Sequence, residues 1–169
     1  MIHDGYDFNR QQKVKNIVRF CNSQNIKIDV HVCWESQTGR NCCKCEKCYR
    51  TILALIAEGA KPQDYGFQDA SKTIRDMEKR VLCGSKINQY IARTQWQPIK
   101  DRVIENKKIL KKSIWWNSIK WIIITDFNNI EKEKLIAKRR IKAKYMFNKK
   151  VQNIHDELFR FVNKMCSIK

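Results

Sequence analysis

Four cysteines constrain this chain more than any other feature. Cys33, Cys42, Cys45 and Cys48 stand in the pattern C-x8-C-x2-C-x2-C, and the run NCCKCEKCYRT holds half of the eight cysteines present. A structural zinc ion takes four soft ligands in a tetrahedron, with sulfur about 2.3 Å from the metal. A C-x2-C step lets the backbone turn around one ion while amide N–H groups point at the sulfurs. The fourth ligand ordinarily arrives from a separate element. Whatever fold the chain adopts must therefore bring Cys33 back to residues 42–48.

The residues around the cysteines say how that could happen. The stretch NIKIDVHVCW alternates, with Ile26, Ile28, Val30 and Val32 on one side and Lys27, Asp29 and His31 on the other. That is the pattern of a half-buried strand, and it delivers Cys33 at its C-terminal end. CEKCYRTILALIAEG reads as a helix from about Glu46, with Ile52, Leu53, Leu55 and Ile56 inward. Gly59 suits a left-handed terminator, and Pro62 bars continuation. Cys48 then falls in the first helical turn, where the macrodipole favours a thiolate. Upstream, residues 9–23 space Val14, Ile17, Val18 and Cys21 as an amphipathic helix.

Other readings of the cluster compete with zinc. A disulfide set suits an oxidising compartment. Cys45 and Cys48 loosely fit a thioredoxin-like redox pair. An iron–sulfur cluster also takes four thiolates, although the bacterial ferredoxin run would want another Cys where Ile52 stands. Buried thiols without metal are the plainest alternative. Zinc explains the spacing best. Cys43 is then a spectator, because its neighbour Cys42 keeps the C-x2-C step to Cys45. Cys21, Cys83 and Cys166 are isolated and read as core thiols.

Charge bears on partners. The chain has 169 residues and a formal net charge of +18. Residues 98–169 carry a surplus of +12 and residues 1–97 a surplus of +6. Such a balance favours anionic partners, nucleic acid or an anionic surface. With only 5 Gly and 2 Pro, long regular elements should predominate. The expected fold is mainly α with a short strand, a four-cysteine zinc clip joining the strand end to a helix, followed by a basic helical region. A soft boundary near residues 96–98 divides a zinc-containing segment, 1–97, from that basic region, 98–169. The opening MIHDGYDFNR has no apolar signal sequence. SIWWNSIKWIIIT is too short and too interrupted to span a bilayer, so a reducing cytoplasm is the expected compartment.

The run from Cys33 to Gly59 resembles the C-terminal zinc-binding segment of the 7-cyano-7-deazaguanine synthase family. That family lies within the PP-loop (adenine nucleotide alpha hydrolase-like) ATP pyrophosphatase superfamily. The resemblance rests on the cysteine spacing, on Arg50 two residues after Cys48, and on a helix ending at Gly59. "CEKCYRTILAL" looks still more like relatives found in bacterial surface-polysaccharide gene sets. The strong similarity covers residues 9–67, about a third of the chain. It implies a zinc-stabilised C-terminal region whose parent family is an ATP-dependent ligase or synthase. Such enzymes bind ATP through an SGGxDS-type loop, and this chain has no S-G-G run. The expectation is a chain that is not catalytic alone, completed by a separate ATP-binding subunit or a missing N-terminal half.

Further candidates follow from charge and stacking. Lys44, Lys47 and Arg50 surround the cysteines and are candidate anion contacts. Lys138, Arg139, Arg140, Lys149 and Lys150, with Trp115, Trp116, Trp121, Tyr145 and Phe147 interleaved, would serve a zinc-containing nucleic-acid-binding module. The plainer reading is a solvated helix face opposite a packed aromatic core. The Trp/Ile stretch with its lysines is also compatible with an anionic membrane surface. His31 sits two residues before Cys33 and reads as a surface residue. His3 is isolated, and His155 with Asp156 forms a solvated pair.

Overall fold

A computed structural model describes residues 7–84 and 87–166, with side chains described as far as Glu157. His3 and the side chains of Leu158, Phe161, Val162, Met165 and Cys166 lie outside those described.

Helix α1, Arg10–Gln24, begins at a capping box. Asn9 accepts from the Gln12 amide, and the Gln12 side chain accepts from the Asn9 amide. It ends at Asn25, whose left-handed backbone (φ 51°) is a conformation Asn tolerates. Val14, Val18 and Cys21 face inward. Helix α2, Glu46–Ala57, is the centre of the molecule and is buried from Cys48 to Ala57. A helix apolar on nearly all sides must be surrounded. It stops as its sequence demands: the Gly59 amide donates to the Ile56 carbonyl at 2.8 Å and the Ala60 amide to the Leu55 carbonyl at 3.0 Å. Those two bonds form a Schellman motif around Gly59 at φ 77°.

The 3-10 turn Pro62–Tyr65 follows and closes at Gly66, φ 84°. Helix α3, Ala70–Lys79, buries Ala70, Thr73, Ile74 and Met77 and widens into a π turn at Arg80–Gly84. After the short turn Gln89–Ile91 a second π turn, Ala92–Trp96, leads into α4, Gln97–Glu105, with Pro98 in its first turn. The stretch expected to carry aromatic bulk splits into two single turns, Trp116–Ile119 and Trp121–Ile124. Ile119, Trp121 and Ile122 are buried, whereas Ile114 and Ile124 are exposed. Helix α5, Ile130–Cys166, closes the described chain.

One core joins these elements. Trp96 is fully buried, 6.0 Å from the Phe127 ring and 6.4 Å from Trp121, and its indole N–H donates to Glu46 at 2.9 Å. Arg102 of α4 grips Glu58 at the end of α2 with two contacts of 2.7 and 2.9 Å. The change of charge near residues 96–98 therefore falls inside continuous packing, since α2 and α4 share the core.

The expected short strand is corrected. Residues 26–32 form no regular secondary structure, and no strand occurs among the described residues. The alternation itself holds for Ile28, Val30 and Val32, which pack against the core while Lys27, Asp29 and His31 are exposed. What is missing is a neighbouring strand, and a ladder needs two. Its place is taken by one backbone bond, from the Val30 amide to the Tyr65 carbonyl at 3.2 Å, and by a side chain. The Asn41 amide group donates to the Val30 carbonyl at 2.7 Å and to the Gly66 carbonyl at 3.2 Å, and accepts from the Val32 amide at 3.1 Å.

Candidate metal centre

The site is assembled from three pieces of chain. Cys33 follows the irregular segment 26–32, Cys42 sits in the loop after it, and Cys45 is the N-cap residue of α2 with Cys48 one turn in. Cys45 has the extended backbone of an N-cap but makes no capping bond with its side chain, which leaves the thiol free to point at the cluster. Cys43 takes a left-handed backbone (φ 54°), which turns the chain between Cys42 and Cys45. The Thr73 hydroxyl of α3 holds the Cys43 carbonyl at 2.6 Å, and Asn41 fastens the other side of the loop.

The four sulfurs of Cys33, Cys42, Cys45 and Cys48 lie within 4.8 Å of one another. Cys33 and Cys45 are 3.9 Å apart, as are Cys42 and Cys48. A tetrahedron with metal–sulfur arms of about 2.3 Å has edges of about 3.8 Å. The spacing is far too long for a disulfide, and all four thiols are free. The geometry is that of a site for one metal ion. Cys43 is buried but stands outside the group, its sulfur directed to the Asn41 carbonyl at 3.7 Å.

Electrostatics point the same way. Burial raises the Cys33 thiol, but the Cys42 backbone amide, with the Cys42 thiol and the amides of Glu35 and Ser36, brings it down to about 7. Burial pushes Cys45 up to about 11, against the helping amide of Cys48 and with repulsion from Cys42. Burial and then the neighbouring Cys45 raise Cys48 further still. Four thiolates in so small a space repel one another and cannot all ionise unaided. A doubly charged cation reverses that logic and makes each thiolate favourable. The amide of Lys44 already donates to the Cys42 sulfur at 3.3 Å.

The three cationic candidates near the cluster are placed differently. Lys44 is exposed at the rim. The Lys47 ammonium lies 2.9 Å from the centroid of the Trp34 ring, a cation–π contact on an indole that is 86% exposed. Arg50 is buried, 3.7 Å from Glu46, and its Nε has no hydrogen-bond partner among the described residues. Its neighbour Arg10 has a lowered pKa, chiefly through burial and then through the Arg50 charge, with Glu46 opposing. Lys138, Arg139, Arg140, Lys149 and Lys150 are all exposed on α5, on an element apart from the cysteines. Tyr145 and Phe147 are exposed beside them, but Trp121 is buried in the core and is not available to stack.

Asn41, Thr73 and Trp34 were not singled out by sequence. An Asn in a polar loop carries no signal that its amide will stand in for a strand, and Thr73 reaches the site from 30 residues away. No protein-family model, curated protein or solved structure matches the chain.

Proposed function

We propose that this chain is the zinc-stabilised C-terminal region, or a truncated relative, of a PP-loop ATP pyrophosphatase-like protein working in a reducing cytoplasm. The observation that carries the metal is the convergence of four sulfurs to within 4.8 Å from the C-x8-C-x2-C-x2-C spacing. Zinc suits it because edges of 3.9 Å leave room for one ion. A multi-iron cluster spreads its thiolates over several metal atoms and holds them further apart. The role is structural: four protein ligands leave no open position for substrate. The metal fastens the end of segment 26–33 to the start of α2, a junction otherwise held by a few hydrogen bonds and by the packing of Ile28, Val30 and Val32 on the core.

The family reading rests on the resemblance in residues 33–59, and it makes the chain non-catalytic alone. ATP chemistry would be supplied by an SGGxDS-bearing partner, either a separate ATP-binding subunit or an N-terminal half. The substrate would be of the nucleobase-modification or polysaccharide-associated kind. Lys44 and Lys47, beside a cluster whose zinc complex would carry a charge of about −2, then balance that charge and stand near any anionic group the partner brings.

Metal analysis of protein purified without added metal should return about one zinc per chain. No metal, or the brown absorption of an iron–sulfur cluster, removes the zinc reading. The family reading is checked in the genome, just upstream of Met1 or in the adjacent gene. An SGGxDS segment there supports it, and its absence from both counts against it.

A second reading is favoured by one observation, the exposure of Lys138, Arg139, Arg140, Lys149 and Lys150. In it the chain is a zinc-containing basic nucleic-acid-binding module, with affinity falling steeply as salt rises. Oligonucleotides that fail to bind near ~50 mM salt eliminate it.

A further inference from the structure

Helix α5 leaves the body of the molecule soon after it starts. Ile130 belongs to the core, Ala137 packs against it, and from Lys138 to Glu157 every residue is exposed. A helix standing in water should be polar all round. This one is not. Tyr145 is 66% exposed, Phe147 68%, Val151 48% and Ile154 48%. At ~100° per residue these four, with Ile141, fall within one half of the circumference. Lys138, Arg139, Lys142, Lys149 and Lys150 fall in the other half. The same half as the apolar positions also holds the uncharged polar Asn148 and Gln152, with His155, and it holds Arg140 and Lys144, whose long aliphatic stems let the charge reach away from an apolar surface. Met146 lies on the cationic side. Residues 134–155 contain eight Lys/Arg and no Asp/Glu.

We propose that α5 lies along the surface of an anionic phospholipid bilayer, apolar half down and lysines among the headgroups. The pairing of features selects this occupant. Nucleic acid would satisfy the cations and leave Phe147, Val151 and Ile154 in water. A second copy of the helix could cover the apolar half but would bring an equally cationic face close to the first. An anionic bilayer takes both halves at once. The helix rests on the surface and does not cross it, since no helix among the described residues is long and apolar enough to span a membrane. The proposal depends on α5 alone and is independent of the metal and of the family.

The test is co-sedimentation of the full chain with vesicles of phosphatidylcholine containing about a third phosphatidylserine, against pure phosphatidylcholine. Binding should be at least about tenfold tighter to the anionic vesicles and should weaken with salt. Phe147→Ser with Val151→Ser, which leaves the charge unchanged, should weaken it by about tenfold or more. Lys138→Gln, Lys142→Gln and Lys149→Gln together should weaken it on the order of a hundredfold at low salt. All five side chains are exposed, so an unchanged melting temperature should accompany each variant. Equal binding to both vesicle types overturns the proposal. So does a double serine variant that binds as the parent does, because charge alone then explains adsorption. A lipid-free dimer dissolved by the serine pair assigns the face to a second copy. Duplex DNA bound more tightly than the vesicles, and unaffected by the serine pair, assigns the helix to nucleic acid.

Discussion

Cys48 occupies the third position of α2 with its sulfur 3.9 Å from that of Cys42, fully buried. Serine there removes one thiolate from a set that works only when complete. Cys48→Ser should lower the melting temperature by on the order of 10 °C or more, whereas Cys83→Ser, at a half-buried site outside the cluster, should shift it by a few degrees at most. Equal shifts, read by calorimetry, would count against a metal clip. Asn41 makes a comparable case without being a ligand. Its amide contacts Val30, Val32 and Gly66, so Asn41→Ala strands partly buried backbone groups and should cost about 2–3 kcal/mol. Denaturant unfolding measures that loss, and chelator should strip metal from the variant faster. The two residues differ in legibility. Cys48 announces itself by spacing, while Asn41 acquires its role only when Gly66 and Val30 arrive beside it.

At the scale of elements, α2 and α4 are joined by a charge pair. Glu58 has a side chain only 4% exposed, held by Arg102 and by Gln11 of α1 at 2.7 Å. Arg102 has a raised pKa chiefly because of the Glu58 hydrogen bonds. Arg102→Ala should cost about 3–5 kcal/mol, because a buried carboxylate loses its counter-charge. Adding Glu58→Gln should recover part of that loss. A thermal double-mutant cycle with no coupling would show that α2 and α4 are held by apolar packing alone. The helices here were readable because their signals are local: the apolar spacing of residues 9–23, the apolar period of α2, and Gly59 and Pro62 at its end. The segment 26–32 was readable only as an alternation. Whether a strand exists depends on a neighbour, and the neighbour at residues 26–32 is an asparagine side chain together with one carbonyl.

For the whole molecule the informative variable is pH. In the metal-free protein Cys45 is held up near 11 by burial, while thiols of the unfolded chain titrate near ~8.5. Between those values the folded state binds more protons than the unfolded one, so metal-free stability should fall as pH rises through that window. Cys33, brought down to about 7, acts oppositely between ~7 and ~8.5. With metal bound the dependence inverts: protons compete with the ion for sulfur, so stability should be lost as pH falls into the acid range. Melting temperatures with and without chelator at pH 6, 8 and 10 test both signs. A chelator that changes nothing at any pH removes the metal from the fold.

The cysteine spacing, the helical periods and the charge surplus of the second half are properties of neighbouring residues, and the sequence by itself determined them. It also determined that Cys33 must return to residues 42–48 if four sulfurs are to share an ion. Tertiary structure decided the rest. It buried Arg50 and Trp121, laid Lys47 on Trp34, and ran one core through residues 96–98. It also left the apolar half of α5 uncovered. The physical reason is the same in each case. Burial and pairing depend on what lies across space, and no periodicity along the chain records which distant residue will be there.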